Sequence, residues 1–475
     1  MRWSDFVESL KDFWFEYKRQ KIGMLGLAIL LFFIGLAIVG PRFYPAEMSR
    51  KWRDVTYWQN YPRSARPSWI NYFSSHKMPP HLIIAEYEVS ERMIGANIRE
   101  YVATFNYDHE YDEPPSDLIL TFRRQVADPT KPPTMTFVLL RPDGREIELI
   151  SKKLSEAGNQ TRIVITSDRG ALSTAYAFGR EFETPENLEK VHFELTNPAL
   201  PLFSKAQPGI LLGNEAEPLK GTYTIRVTFY FQNPEDKIED LTLIIGGRVY
   251  GLLGTDENRR DLFAGLIWGT RVSLLIGILT SVLSVFFGIF YGVMSAYLGG
   301  WKDEILQRIY EIMSSIPTLP ILILLSAIYK PSIWWIIFFL VVFGWMGTSR
   351  MARSMAYQIK EMDYVEAARA VGASGFWIVR KHVMPQILPY AFASMALSVP
   401  SAILTEAGLS FLGLGDINRV TWGQILHDAQ STAATIKGMW WWVLPPGLAM
   451  ALLGLSFAFI GAALNTILFP KLKTL

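Results

Sequence analysis

The residues best placed to act on another molecule lie in one polar stretch between apolar runs: Asp363-Tyr-Val-Glu366-Ala367-Ala368, followed by Gly372, Ser374, His382 and Pro385. Asp363 and Glu366 have the i, i+3 spacing of a helix amino-terminal cap, and Gly372 can take the left-handed conformation that ends a helix after about two turns. Ser374 can cap a second helix, and Pro385 stops or redirects that helix before the next apolar run. None of these groups is a nucleophile with a base beside it. What they offer is mechanical: a short, sharply bent helix pair over 363–385, with Ala367 and Ala368 small enough to let another protein approach closely. That is a docking element.

Two further groups could act on a solute. Glu406, with Ser410 beyond it, lies in or beside an apolar run, and a carboxylate there is costly enough that a role in a gate or translocation path is the default hypothesis. A structural or interfacial role is the other reading, with Glu406 at the outer end of its span. Pro317, with Pro320, is placed to kink the preceding span, which could serve a gate. Glu311 can reach Arg308 for neutralisation. His382 and His427 have no second histidine or cysteine at ligand spacing, so no metal site is expected. The chain has no cysteine, which excludes disulfides, thiolate metal sites and a cysteine nucleophile. No G-x-x-x-x-G-K loop followed by Ser or Thr occurs, and no catalytic constellation stands out, so the chain reads as a non-enzyme.

The elements that must hold these residues follow from composition. Half of the 475 residues are hydrophobic and 15 are Trp, yet 19% are charged, a mixture of membrane and soluble parts. A net charge of +2 provides no general field for nucleic acid. Residues 1–21 place Trp3, Phe6, Leu10, Phe13, Trp14 and Tyr17 at helical spacing among charges, an amphipathic interfacial helix. It leads into residues 22–40, an uncharged stretch that as a helix reaches roughly 28 Å. Residues 41–255 instead show short β-branched or alternating segments, read as strands at Asp117–Arg123, Thr134–Leu140, Arg162–Thr166, His192–Leu195, Thr222–Phe231 and Leu241–Val249. The Arg141-Pro142-Asp143-Gly144 step carries turn chemistry. Within 256–475 the apolar runs return at Leu266–Leu298, Ile305–Tyr329, Ser332–Thr348, Ile387–Leu414 and Trp440–Leu468. The fold class expected is therefore membrane all-α, six transmembrane helices with a large β-rich domain inserted between the first and second. The Trp440-Trp441-Trp442 cluster reads as an interfacial anchor.

Orientation follows from the cations near the span ends. With a cytoplasmic amino terminus, the inner segments hold Lys11, Lys18, Arg19, Lys21, Lys302, Arg350, Arg353, Lys360, Arg369, Arg380, Lys381, Lys471 and Lys473, against Lys330, Arg419 and Lys437 outside. This obeys the positive-inside rule and places both termini in the cytoplasm and the β-rich domain outside.

Glu366-Ala367-Ala368, Gly372, His382 and Pro385 resemble the coupling motif of permease subunits in binding-protein-dependent ABC importers. Glu406 to Gly415, then Trp422-Gly423, resembles the oligopeptide, dipeptide and nickel branch, as do Gly254-Thr255-Asp256 with Arg260-Asp261 and the stretch Phe15 to Leu27. The likeness covers residues 1–40 and about 250–475 and points to the second permease of the pair, the C type. Arg259 stands where that family has Gly, Met384-Pro385 replaces Leu-Pro, the tail Asn465–Leu475 lacks an acidic ending, and the insert is longer than usual.

The resemblance implies an ATP-driven importer of oligopeptides or dipeptides in the cytoplasmic membrane. Its expected partners are a second homologous permease, two cytoplasmic ATPases that bind ATP and Mg, and an extracytoplasmic binding protein. No cofactor belongs to this chain. The spans switch by alternating access. An oligosaccharide or metal-chelate importer of the same architecture is the alternative reading. A secondary transporter or channel would need paired intramembrane charges or matched broken helices, neither of which the sequence displays. The insert is expected to extend the docking surface for the binding protein.

Overall fold

Apolar runs without internal charge satisfy their own backbone polar groups as helices, the arrangement a hydrocarbon environment demands. The computed structural model describes residues 3–94, 98–126, 128, 130–154, 160–191, 197–213, 215–233, 235–329 and 332–468. The strand expected at His192–Leu195 and the terminal Lys471 and Lys473 lie outside the described residues. Among the described residues, five helices are long and apolar enough to span a membrane: Lys21–Phe43, Leu262–Leu298, Ile333–Lys360, Gly375–Phe411 and Trp440–Leu468. The bent pair Gly300–Ser315 and Thr318–Ile328 makes a sixth when counted as one span.

That pair bends by 77°. The run expected to kink at Pro317 is broken there, because a proline pushes its predecessor out of the helical region. Ile316 is extended at φ −77° and ψ 123°, and Pro317 itself caps the second half. The fourth span runs on as helix to Lys360, so Arg350 and Arg353 are helical and not in a loop. The tryptophan cluster also differs from expectation. Trp440 opens the last span exposed, but Trp441 and Trp442 are buried within the unit and are no headgroup anchor.

The chain divides into two compact units, Met1–Arg53 with Ala264–Leu475, and Asp54–Phe263. In the helical unit, contacts rest on small residues that let backbones come close. A Cβ on Gly26 would fall 2.6 Å from Ser456 O on the last span. One on Gly288 would fall 2.1 Å from Thr348 Oγ1 and 2.3 Å from Trp345 O. The apolar side chains turned away, such as Phe32, Ile38, Phe286 and Phe290, are exposed, as a lipid-facing surface requires.

The second unit is β-rich and entirely antiparallel among its described strands. They are β1 (Leu82–Ile84), β2 (Glu88–Ile94), β3 (Ile98–His109), β4 (Leu118–Gln125), β5 (Thr134–Leu140), β6 (Glu146–Lys153), β7 (Gln160–Val164), β8 (Gly221–Phe231) and β9 (Lys237–Ile245). One sheet has the order β1-β9-β4-β7 and the other β2-β3-β8-β5-β6. Alternation along β5 buries Met135, Phe137 and Leu139 and leaves the intervening residues half-buried. Those three join Phe105, Phe122, Phe229 and Leu243 in one core shared by both sheets, with the Phe122 and Phe229 rings edge-to-face at 5.2 Å.

The β5–β6 turn closes as its residues dictate: Gly144 sits at φ +82° and its N–H donates to Arg141 O at 2.9 Å. β9 ends at Ile245, short of the expected Val249, because Gly246 and Gly247 follow. A Cβ on Gly247 would fall 2.2 Å from His81 N. β7 ends at Val164, and Ile165–Ser167 form a 3-10 turn leading to a helix, Arg169–Arg180, capped by Asp168.

Candidate functional site

The helix Asp363–Ala370 is built as a handle. Its carboxyl end is a Schellman motif: Gly372 at φ +88° donates to Arg369 O at 3.0 Å and Ala373 N donates to Ala368 O at 3.1 Å. Ser374 caps the next helix, accepting from Trp377 N at 3.4 Å. At the amino end the expected side-chain cap is absent. Met362 occupies the cap position, and Asp363 and Glu366 lie in the first turn, where their charge favours the positive end of the helix dipole.

Pro385 does not stop the second helix. The helix runs from Gly375 to Phe411, with a π-helical turn over Val379–Val383. A proline inside a helix clashes with the carbonyl four residues earlier, here Lys381, and the widened π turn makes room for it. The element is therefore one short helix hinged at Gly372 onto a long span. It is no pair of short helices.

Only one side of this handle is anchored. Val365, Ile378, Val383 and Ile387 are buried against Val285, Ile289 and Val293 of the second span and Ala352, Ala356 and Ile359 of the fourth. Glu366, Ala367, Arg369 and Ala370 are exposed, Ala368 is half-buried, and Val371 and Phe376 are 86% and 77% exposed. Apolar groups left this open next to a rigid anchor suit a protein partner. The His382 ring lies 5.6 Å from Tyr364 and 5.1 Å from Trp377, and Gln386 bonds to the Tyr364 hydroxyl, so these side chains brace the hinge.

Behind the handle is a partly buried ion pair that sequence reasoning missed. Asp303 accepts from Arg353 Nε at 3.0 Å and Nη2 at 2.6 Å, from Tyr357 Oη at 2.6 Å and from Ser295 Oγ. Three helices are clamped at one carboxylate whose lone pairs are occupied. The sequence signal was present, since Asp303 and Arg353 flank apolar runs. The cations there were read only for orientation. The pair is a closed lock, with its hydrogen bonds made within the bundle.

The structure brings Glu406 and Ser410 together. Ser410 Oγ donates to Glu406 Oε1 at 2.6 Å, and both Glu406 and Ser410 are buried. The surroundings are close-packed. A Cβ on Gly415 would fall 2.1 Å from Ser410 Oγ, and one on Gly423 would fall 2.6 Å from Ala407 O. Trp422 Nε1 donates to Leu266 O at 3.0 Å, Gln424 Nε2 to Asp416 O at 2.6 Å, and Ile333 N to Asp416 Oδ2 at 3.1 Å. The run from Glu406 to Gly423 thus ties the fifth span to the helix Trp422–Ser431. Pro317 stands apart, at the break of the third span.

Arg259, unusual in the sequence, has a local explanation. It holds φ +68°, a conformation that favours glycine, and its guanidinium bonds Tyr61 O at 2.8 Å and Asp117 at 2.9 Å, which offsets the strain. Beside it Asp256 and Arg260 form a buried pair, and Asp261 accepts from Phe263 N where the second span begins.

The geometry is that of a bundle of spans with a hinged, exposed helix at one end. Residues 264–474 match the family described as binding-protein-dependent transport system inner membrane component, and residues 9–63 match the N-terminal TM domain of oligopeptide transport permease C. The inserted segment 64–263 falls between the two matches. The dipeptide transport system permease protein DppC of Bacillus subtilis is 37% identical over 221 residues, 46% of this chain and 68% of that protein. The oligopeptide transport system permease protein OppC of Haemophilus influenzae is 36% identical over 47% of this chain and 71% of its own length. The inner membrane ABC transporter permease protein YejE of Escherichia coli is 32% identical over 46% of this chain and 63% of its own. The chain belongs to the family of binding-protein-dependent inner membrane transport components, and within it is a C-type, multi-pass, non-catalytic permease subunit of the inner membrane.

Proposed function

We propose that this chain imports oligopeptides or dipeptides as one half of a permease heterodimer. Two cytoplasmic ATPases, which carry the ATP and Mg, grip the helix Asp363–Ala370, and an extracytoplasmic binding protein presents the solute. The observation that carries this reading is the handle itself: anchored by Val365, exposed at Glu366 and Ala367, and hinged at Gly372. A motor closing around ATP can pull such a helix as a rigid body, and the long span beginning at Gly375 carries the motion into the bundle. The relatives named for dipeptide and oligopeptide transport support the peptide cargo. The cation asymmetry supports cytoplasmic termini and an outward β-rich domain.

The test uses the whole transporter in proteoliposomes. Gly372→Ala costs about 1 kcal/mol through the positive φ at that turn. With Glu366→Ala it lowers binding-protein-stimulated ATP hydrolysis by roughly tenfold while the complex still assembles. Because the chain has no cysteine, a single Ala367→Cys reports its side by labelling. Labelling from the outside, or undiminished stimulation in the double variant, overturns the reading.

A further inference from the structure

The helical unit contains a polar cleft that the coupling handle does not use. After the first span come the short helix Ala46–Arg50 and its continuation to Arg53, which Arg53 ties to the helix Trp422–Ser431. Trp52 is buried there, and a Cβ on Gly265 would fall 2.6 Å from its ring. Arg53 Nη1 donates to Asp428 Oδ1 at 3.0 Å and Nη2 reaches Gln424 Oε1 at 3.5 Å. Between this strap and the turn around Gly413 to Asn418 is a cleft of about 510 Å³. Its polar lining is Arg50, Arg53, Asn418, Gln424, His427 and Asp428.

The charge balance of that cleft is uneven. Its single lining carboxylate, Asp428, is already engaged by Arg53. Arg50 is exposed, and among the described residues its side chain has no ion pair or hydrogen bond. One cation is therefore left over, beside a second that keeps 43% of its side chain exposed. A guanidinium presents parallel N–H groups that match a carboxylate in geometry as well as charge. His427 adds an acceptor. Its Nδ1 lies 2.8 Å from Phe411 O, and since a carbonyl oxygen only accepts, Nδ1 carries the hydrogen; in the neutral ring Nε2 is then the acceptor. Cation, acceptor and amide groups around a volume of this size suit a small zwitterionic chain with amide bonds. Ser410, whose hydroxyl is bound to the buried Glu406, also lines the cleft, so an occupant lies beside the segment that joins the fifth span to the helix Trp422–Ser431.

We infer that this cleft is a station for the carboxylate end of a peptide on its way into the translocation path, with Arg50 and Arg53 receiving the carboxylate. The inference rests on the peptide-import reading and on the carboxyl end of the first span facing outward.

Trialanine and trialanine amide serve as the probes, offered together to the complete transporter with its binding protein in proteoliposomes. The binding protein's own preference is common to every variant, so a change in the acid-to-amide uptake ratio belongs to the permease. Arg50→Gln lowers that ratio by roughly threefold to tenfold. Arg50→Lys keeps most of it, and Arg50→Glu lowers it further than Arg50→Gln. The half-saturating concentration of trialanine rises by the same factor as the ratio falls. A misfolded variant depresses both cargoes alike and leaves the ratio unmoved, and Arg50→Lys separates that case by retaining full uptake. A ratio and half-saturation indifferent to Arg50→Gln and Arg50→Glu, in a transporter that moves peptides, sink this inference alone. A wild-type transporter that takes up neither peptide sinks the peptide reading, and the station falls with it.

Discussion

The two units of this chain hold themselves together by different means. In the β-rich unit the core is made of large rings: Phe105, Phe122, Phe137 and Phe229 are each at most 1% exposed and meet between two sheets. Water drives that burial, and size is an advantage. In the helical unit, apolar surface facing lipid is no worse off than apolar surface facing another helix, so bulk gives little preference for one packing over another. There, besides apolar clusters such as that of Val285, Ile289 and Ile387, close contacts are set by glycines, by hydroxyls such as Thr348, and by charge pairs such as Asp303 with Arg353. The comparison shows why the transport machinery sits in the second kind of unit. Helices joined over small, polar contacts have several arrangements of similar energy, whereas a ring-filled sandwich has one.

The largest expected effect breaks this contrast from the sandwich side. Phe229→Ala removes a ring from the shared core and costs about 4 kcal/mol, the range for large-to-small core changes. Limited proteolysis of the full chain should then cut within 54–263 while the helical unit stays resistant. Equal loss in both units would show that the contrast is false.

A somewhat smaller effect comes from His109, which is fully buried in the same core, with its Nδ1 3.1 Å from the Tyr107 hydroxyl. Burial, with Lys220 nearby, lowers its pKa from the usual value near 6.5 to about 4. The folded value lies below the unfolded one, so the unfolded chain binds the proton more readily. Stability is intact above the unfolded value and is lost as pH falls through the window down to about 4, by roughly 3 kcal/mol at its lower end. Hydrogen exchange in β3 should rise over that window, and His109→Phe should flatten the rise. An unaltered profile in the variant would assign the loss to other groups.

The smallest effect tests the helical unit. Gly288→Val adds bulk where a Cβ already falls 2.1 Å from Thr348 Oγ1. Overpacking of this kind costs about 2 kcal/mol. If small contacts set the helix packing, the change should loosen the contact between the second and fourth spans. A cysteine pair placed across those spans should then cross-link more slowly in detergent, with β3 exchange unchanged.

Legibility in the sequence followed how local the deciding forces are. The last span, Trp440–Leu468, and the strand Thr134–Leu140 carry the bounds expected of them, because one is an unbroken apolar run and the other alternates cleanly. The Gly372 turn and the Ser374 cap were legible for the same reason: each depends on the conformational freedom or the side chain of one residue. β2 was not legible, since all seven of its residues are exposed and it has no buried face to produce a pattern. β3 was obscured by Arg99, Glu100 and Asp108 along its length. The helix Arg169–Arg180 buries Ala171, Ala175 and Gly179, a face too small to register as apolar. Pro385 misled because a proline usually ends a helix, and whether a π turn can absorb it depends on what the helix packs against.

The amino-acid order by itself determined the number and placement of the apolar runs, the β character of the segment between the first and second, and the chemistry of the coupling turn. Each of these is a property of neighbours along the chain. Only the tertiary structure decided that Asp303 closes on Arg353 and Tyr357, that Ser410 answers Glu406, and that Arg50 is left as a spare cation beside Arg53 and Asp428. Those outcomes depend on residues brought together from distant parts of the chain. The energy of a charge in a bundle depends on which partner the fold brings within hydrogen-bond reach.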